Sequence, residues 1–286
     1  MNGIIIKGIG GFYYIKAADG CIYECKARGR FRKDGITPII GDNVEIEISG
    51  KKGSITRILE RKNALVRPAV ANIDTLVIIS AAASPDPNMT LLDKLTVSAL
   101  SNDIEPVICV NKTDLADGNY IADAYKSAGF KTFMLSAEQG EGIDALMPVL
   151  KDKVTAFAGL SGVGKSTLLN RITGGDLRVG DVSEKIQRGR HTTRHVELFE
   201  LDGGGFVLDT PGFSSFELYG VKADELWEYF PEMADMALKC RFRGCSHISE
   251  PDCAVKAKLE AGEIAKSRYD SYVELYNTRK EIKDWE

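Results

Sequence analysis

At 286 residues, with 44% apolar and 27% charged side chains, the chain has the composition of an ordinary soluble globular protein, long enough for two or three domains with buried cores. Its most apolar run, Leu76 to Ala83, is far too short to span a bilayer and no basic leader opens the sequence, so a cytoplasmic protein without membrane contact is expected. Six cysteines, three of them within residues 240–253, argue against a disulfide framework and for metal, while Cys21, Cys25 and Cys109 lie in apolar, strand-like stretches and are expected in the core.

The net charge of −4 conceals an asymmetry, because residues 1–66 carry 12 Lys and Arg against 7 Asp and Glu. A basic end on an acidic protein is expected to meet a polyanion. Within it, Phe12 to Ala17, Cys21 to Ala27, Asn43 to Ile48 and Ser54 to Ile58 read as short strands separated by Gly/Asp turns, and such a series suits a small barrel, the OB-fold foremost. Between the second and third lies the basic loop Arg28-Gly29-Arg30-Phe31-Arg32-Lys33. Tyr13, Tyr14, Tyr23 and Phe31 are candidates to stack on unpaired bases while the arginines contact phosphates; the alternative is a solvated charged loop around core aromatics.

From Asp74 onward strands and helices alternate. Thr75 to Ser80, Glu105 to Val110, Lys131 to Leu135 and Val154 to Ala158 read as strands, and Leu91 to Leu100, Asn119 to Ala128 and Ile143 to Leu150 as helices, which argues for a parallel sheet covered on both faces. The chemistry sits at strand ends. After the second strand, in Asn111-Lys112-Thr113-Asp114, the Asp114 carboxylate can accept two hydrogen bonds from the N1–H and 2-amino group of guanine while the Lys112 stem lies along the base. Adenine lacks that donor pair and would leave the carboxylate unpaired. Ser136-Ala137-Glu138 also follows a strand, where backbone N–H groups can meet the guanine oxygen.

Gly159-Leu160-Ser161-Gly162-Val163-Gly164-Lys165-Ser166, followed by Thr167, matches G-x-x-x-x-G-K-[ST] between a strand and a helix. The glycines let backbone N–H groups curl round an anion, the helix adds its positive end, Lys165 carries charge to the outer phosphates and Ser166 offers a hydroxyl to magnesium. Asp209-Thr210-Pro211-Gly212 follows the apolar strand Gly205 to Leu208. Alone it is a common turn; behind a phosphate loop, Asp209 can hold the magnesium through water and the Gly212 N–H can sense the γ-phosphate. Together these motifs point to a guanine nucleotide.

After Gly220 the strand signals stop. Residues 224–236 read as helical, and a final helix is expected from Ala254 to Lys283, with Tyr269, Tyr272, Val273 and Tyr276 on one face that packs against its own domain. Cys240, Cys245, His247 and Cys253 have the spacing C-x4-C-x-H-x5-C. Three thiolates and an imidazole complete a tetrahedral shell with no open position, which points to one structural zinc ion; the alternative is three unrelated buried thiols.

N-K-x-D, S-A, G-x-x-x-x-G-K-S and D-x-P-G are the motifs of Ras-like GTPases, here with the base-reading motifs ahead of the phosphate loop. That order, between a basic N-terminal barrel and a C-terminal Cys/His cluster, resembles the RsgA (YjeQ) family of ribosome small-subunit-dependent GTPases over essentially the whole chain. The resemblance implies an OB-fold over residues 1–68, a circularly permuted GTPase domain over 69–220 and a mainly helical zinc-binding domain over 221–286. It also implies hydrolysis of GTP to GDP and phosphate, stimulated by the small ribosomal subunit, in late maturation of that subunit, with the subunit and its rRNA as partners; a monomer is expected.

Ras-like enzymes often place Gln after D-x-x-G to orient the attacking water, and this chain has Phe213 there. The resemblance instead places a water-orienting His in Gly189-Arg190-His191-Thr192-Thr193, which maps onto His191, and a magnesium-binding Thr nearby. Thr193 is the first choice and Thr192 the second; the family often continues with a third Thr, and the departure to Arg194 in this chain leaves both open. The alternative for His191 is a structural or phosphate-contacting role. Two other functions stay open at this level: a GTP-switched RNA-binding assembly scaffold with little turnover, and an ATP-dependent enzyme, which Asn111 and Asp114 oppose.

Overall fold

Period-two alternation builds the N-terminal region of the computed structural model, which describes residues 1–29, 31, 35–50, 52–66, 68–175, 196–209, 218 and 220–281. Strands β1 (Asn2–Ile9), β2 (Phe12–Ala17), β3 (Ile22–Ala27), β4 (Asn43–Ser49) and β5 (Lys52–Ile58) pair in the order β1-β2-β3-β5-β4, and β4 returns to β1 to close a five-stranded barrel. Every pairing is antiparallel except that of β3 with β5. Ile5, Ile15, Cys25, Val44 and Ile55 fill the interior with no exposed surface, and each aliphatic among them stabilises the barrel by about 1.5–3 kcal/mol. Strand β1 is absent from the sequence-based expectation because Ile4-Ile5-Ile6 is a continuous apolar run that breaks the alternation, and the structure has a register shift there, between Ile5 and Lys7.

Two expectations for this region change. Cys21 is exposed in the turn before β3, its N–H donating to Asp19 Oδ1 at 2.9 Å, while Cys25 and Cys109 are fully buried. Phe31 is 6% exposed and belongs to the core, with Tyr13 and Tyr23 half-buried against it, so Phe31 offers no face to a base. Acids outside residues 1–66 neutralise part of the basic surplus, since Lys7 pairs with Glu197 (2.6 Å), Lys16 with Glu200 (2.7 Å) and Lys62 with Asp74 (3.2 Å), while Arg61 pairs with buried Asp42 (2.6 Å), Arg57 with Glu45 (3.5 Å) and Arg28 with Glu47 inside the region. Arg30, Arg32 and Lys33 of the basic loop lie outside the described residues.

A short hairpin, β6 (Ala64–Leu65) with β7 (Val70–Ala71), leads into the alternating region. There β8 (Thr75–Ala81), α1 (Met89–Leu100), β9 (Glu105–Asn111), α2 (Asn119–Ser127), β10 (Lys131–Met134), α3 (Ile143–Leu150), β11 (Val154–Ala158), α4 (Lys165–Ile172), β12 (Glu197–Glu200) and β13 (Phe206–Asp209) follow in turn. The sheet order β10-β9-β8-β11-β13-β12 is parallel except for β12. Every residue of β8 and of β11 is buried, as a sheet covered on both faces requires. Successive strands are added on one side of β8 as β9 and β10 and on the other as β11 and β13, so the chain reverses direction between β8 and β11. The crevice at the carboxyl ends of the strands, at such a reversal, is where open α/β sheets bind ligands. On the far side β12 pairs with β1 of the barrel at Lys7 and Glu197, making one continuous sheet of eleven strands.

The C-terminal region contains a 3₁₀ helix (Ala223–Tyr229), α5 (Pro231–Ala237), α6 (Ala254–Glu260) and α7 (Lys266–Glu281). The helical reading of 224–236 divides at Phe230, because Pro231 has no N–H to continue a helix and instead opens a new one. The single helix expected from Ala254 divides as well: Gly262, at φ +75°, adopts the left-handed conformation that ends α6. Leu226, Phe230, Met233, Val255, Tyr272 and Leu275 form this region's core, which includes Val97 of α1. At the same junction Arg268 is fully buried, its Nε and second guanidinium nitrogen donating to Glu232 at 2.7 and 3.0 Å and its third to Asp93. Tyr125 donates to the same Asp93 carboxylate at 2.6 Å. Burial opposes charge on Arg268, but Asp93 and Glu232 hold its pKa above the ordinary guanidinium range.

Candidate functional site

The loops after β8, β9, β10 and β11 all leave the carboxyl edge of the sheet, so three of the four motifs, scattered from residue 111 to residue 166, meet at one crevice, and the fourth begins at Asp209, where β13 ends on the same edge. Asn111 is the point of closure. It ends β9 almost fully buried, its Nδ2 donating to the Val163 carbonyl at 2.7 Å and its Oδ1 accepting from the Ala137 N–H at 2.8 Å. One side chain thus ties the phosphate loop, 52 residues away, to the Ser136-Ala137 segment, 26 residues away. Sequence reasoning identified Asn111 as part of a base-reading motif and missed this bracing role, since only the folded chain shows which groups its amide meets.

Around that brace, Lys112 takes φ +63° and donates through Nζ to the Ser84 carbonyl beyond β8, while the Thr113 N–H donates to Leu135 at 3.4 Å. Asp114 is exposed, whereas discrimination by an unpaired carboxylate works through a buried one. Ser136 is buried, its Oγ accepting from the Gln139 N–H at 3.2 Å.

The phosphate loop runs from Gly159 and Leu160 through exposed Ser161 and Gly162 and buried Val163 to Gly164, which precedes α4. Gly164 sits at φ +94°, and a Cβ there would lie 2.2 Å from Asn111 Nδ2, so only glycine lets the loop and the brace coexist. Lys165 begins α4 and folds back over the loop, Nζ donating to the carbonyls of Gly159 (2.8 Å) and Leu160 (2.6 Å). Burial lowers its pKa; a phosphate anion would favour its charged form. Ser166 is exposed and Thr167 half-buried on the first turn, where helix N–H groups lack intrahelical partners and favour an anion. Strand β13 ends at Asp209, one strand over from β11. Gly212, Phe213, His191, Thr192, Thr193 and Arg194 lie outside the described residues, so the expectations for them concern chemistry and not geometry.

A second cluster lies in the C-terminal region. The ligand atoms of Cys240, Cys245, His247 and Cys253 lie within 4.8 Å of one another. The Cys240 and Cys253 sulfurs are 3.8 Å apart and each is 3.5 Å from His247 Nδ1. A tetrahedron with metal–sulfur bonds of about 2.3 Å has sulfur–sulfur edges of about 3.8 Å, so the cluster has the dimensions of a four-coordinate site. Burial pushes the Cys245 thiol up to about 12 and lowers the His247 pKa, both favouring the neutral group. The donor set and its spacing therefore fit a soft, tetrahedral metal. Positive φ at Gly244 (+72°) and His247 (+60°) turns the loop onto this centre. Tyr269 and Tyr272 of α7 hold it there, donating to the carbonyls of His247 (2.7 Å) and Ser246 (2.8 Å). The aromatic stripe was legible in the sequence, but its hydroxyl contacts were not.

Comparison with known proteins agrees with this arrangement. The RsgA N-terminal domain model matches residues 2–55 and the RsgA GTPase model residues 58–219. Among curated relatives, a small ribosomal subunit biogenesis GTPase RsgA of Ruminiclostridium cellulolyticum is 49% identical over 98% of this chain and 94% of its own length. Its counterpart in Caldanaerobacter subterraneus is 47% identical over 98% and 96%. Of solved structures, YloQ, described as a circularly permuted GTPase, is 37% identical with a TM-score of 0.83 over 99% of this chain and 96% of that one. YjeQ from Thermotoga maritima is 35% identical with a TM-score of 0.86 over 99% of both chains. Matched by both family models and this similar to its relatives along nearly its full length, the chain belongs to the RsgA family of circularly permuted GTPases.

Proposed function

We propose that this chain hydrolyses GTP to GDP and phosphate in the late maturation of the small ribosomal subunit, and that the subunit stimulates the reaction. The observation that carries the nucleotide site is the Asn111 brace, which holds the phosphate loop and the Ser136-Ala137 segment at one crevice. In this reading Asp114 accepts from the N1–H and 2-amino group of guanine, Lys112 lies along the base, Thr113 holds the turn, and the backbone after Ser136 meets the 6-oxo group. Gly159, Leu160, Ser161, Gly162, Val163, Gly164, Lys165, Ser166 and Thr167 receive the phosphates, and the Gly212 N–H senses the γ-phosphate. Ser166, Asp209 and Thr193 would hold a magnesium ion, which neutralises charge on the transferring phosphoryl group.

With Phe213 unable to hydrogen-bond, His191 is assigned to orient the attacking water; an imidazole can do so whether or not it takes the proton. Cys240, Cys245, His247 and Cys253 would hold one structural zinc ion, which stabilises the C-terminal domain. The division into an RNA-contacting OB-fold domain (1–68), a GTPase domain (69–220) and a zinc-binding domain (221–286), acting as a cytoplasmic monomer, completes the reading. Among the described residues, no helix is long and apolar enough to cross a membrane.

Phosphate release from GTP, titrated with purified small subunits, tests the proposal. Multiple turnovers that rise with subunit concentration are expected, and His191→Ala is expected to lose the stimulation while binding GTP normally. Binding without turnover would instead favour a GTP-switched RNA-binding scaffold. Calorimetry on Asp114→Ala tests the base reading: the preference for GTP over ATP is expected to collapse, and an intact preference would sink it.

A further inference from the structure

The Ser136-Ala137-Glu138 segment is held from two sides. On the amide side, the Ala137 N–H donates to Asn111 Oδ1 at 2.8 Å. On the carbonyl side stands Arg171, in the last turn of α4: its Nε donates to the Ala137 carbonyl at 3.2 Å and a terminal nitrogen to the Glu138 carbonyl at 2.6 Å. The loop's other amides close on the loop itself, Ser136 with Glu141 (3.1 Å both ways), Gly140 with the Ser136 carbonyl (2.8 Å) and Gln139 with the Ser136 hydroxyl (3.2 Å). Among the described residues, the N–H of Glu138 is the one amide of 136–141 without a hydrogen-bond acceptor.

That amide and the Ala137 carbonyl belong to the same peptide unit. In a planar trans peptide the C=O and N–H point in opposite directions, so fixing one fixes the other. Turned the other way, the unit would present its oxygen where its N–H now points. It would then repel a purine 6-oxo group and accept from a 6-amino group.

We infer that Arg171 is a positioning residue for guanine specificity, its planar fork holding the Ala137 and Glu138 carbonyls so that the Glu138 N–H is directed to the 6-oxo group of the base. The inference rests on the guanine reading of this crevice and adds a residue outside the four motifs. A guanidinium suits the task because it offers several donors in one rigid plane, and two consecutive carbonyls need two of them. Arg171 has no place in phosphate or magnesium binding, so its loss should act on the base alone.

The experiment compares three nucleoside diphosphates by calorimetry, on wild type, Arg171→Met, Arg171→Lys and Asp114→Ala. The ligands are GDP, IDP (6-oxo without the 2-amino group) and 2-aminopurine riboside diphosphate (2-amino without the 6-oxo group). Arg171→Met is expected to weaken GDP and IDP by the same factor, about 3- to 10-fold as for one net hydrogen bond, and to leave the 2-aminopurine nucleotide unchanged. Arg171→Lys, keeping one donor nitrogen, is expected to recover part of the loss, and kcat at saturating GTP to stay at the wild-type value. Equal weakening of all three ligands would show a merely structural role and overturn the inference, as would no change in any of them. Failure of the underlying guanine reading looks different: wild type itself would then bind GDP no better than the 2-aminopurine nucleotide, and Asp114→Ala would leave the GDP-to-IDP ratio intact.

Discussion

At the scale of single residues, the crevice depends on a fit between Asn111 and Gly164. The amide of Asn111 reaches the Val163 carbonyl only because Gly164 has no Cβ to occupy the 2.2 Å that separates that position from Nδ2. Gly164→Ala also forces a side chain into φ +94°. Displacing Asn111 would leave the Ala137 N–H and the Val163 carbonyl without this partner, at about 1–3 kcal/mol for a buried polar group. GDP affinity of Gly164→Ala, measured by fluorescent-nucleotide titration, is therefore expected to fall at least about 10-fold, with a lower melting temperature. Affinity equal to wild type would mean that the brace is not what shapes the loop. Sequence pattern marks Gly164 as needed for backbone conformation and says nothing of the amide it must admit, because that amide belongs to a strand added elsewhere in the sheet.

At the scale of elements, α7 and the Cys/His loop form one unit. The loop from Cys240 to Cys253 gathers its three thiols and the imidazole on one side and meets the Tyr269 and Tyr272 hydroxyls on the other. Burial pushes the Tyr272 phenol well up, so it remains a donor throughout the working pH range. Chelation at neutral pH is expected to unfold this unit and erase the near-ultraviolet signal of Trp227 and Tyr272, whose rings flank His247 at 6.1 and 6.3 Å. Tyr272→Phe is expected to speed metal loss to a chromogenic chelator without changing the number of ions bound. A fold and spectrum indifferent to chelation would refute a structural metal. The ligand set and the tyrosine stripe are both legible in the sequence, because each is a local spacing. The split of the expected helix at Gly262 escapes the periodicity, since the apolar stripe that signals the helix begins only at Tyr269, beyond the break.

At the scale of the molecule, two junctions join the three regions. The barrel adds its β1 to the edge of the α/β sheet through β12, reinforced by the half-exposed Lys7–Glu197 and Lys16–Glu200 pairs. Exposed pairs of this kind contribute about 0–1 kcal/mol each, and the strand pairing is a single residue pair, so the apolar core continuous across the two regions is the main tie. The C-terminal region is anchored differently, by Arg268 buried between Glu232 of its own region and Asp93 of α1, with Tyr125, Phe130 and Phe230 around the guanidinium at 4.7–5.1 Å. Removing one member of such a set strands a buried charge. Arg268→Met is expected to destabilise the protein by about 3–5 kcal/mol in denaturant titration. A double-mutant cycle with Asp93→Asn should show strong coupling, and additive losses would mean that the two residues act independently.

Local periodicity and spacing were enough to read a small barrel, a parallel α/β layer and a helical end, and to mark the motifs that lie at strand ends. Those signals are carried by residues within one or two turns or strands of each other. Which groups meet across the fold was decided only by the tertiary structure: Asn111 with Val163 and Ala137, Arg171 with the loop after β10, Arg268 with Asp93, Phe31 turned into the barrel and Cys21 turned out of it. A side chain's chemistry belongs to the residue, but its partner belongs to the path by which the chain returns, and strand order sets that path.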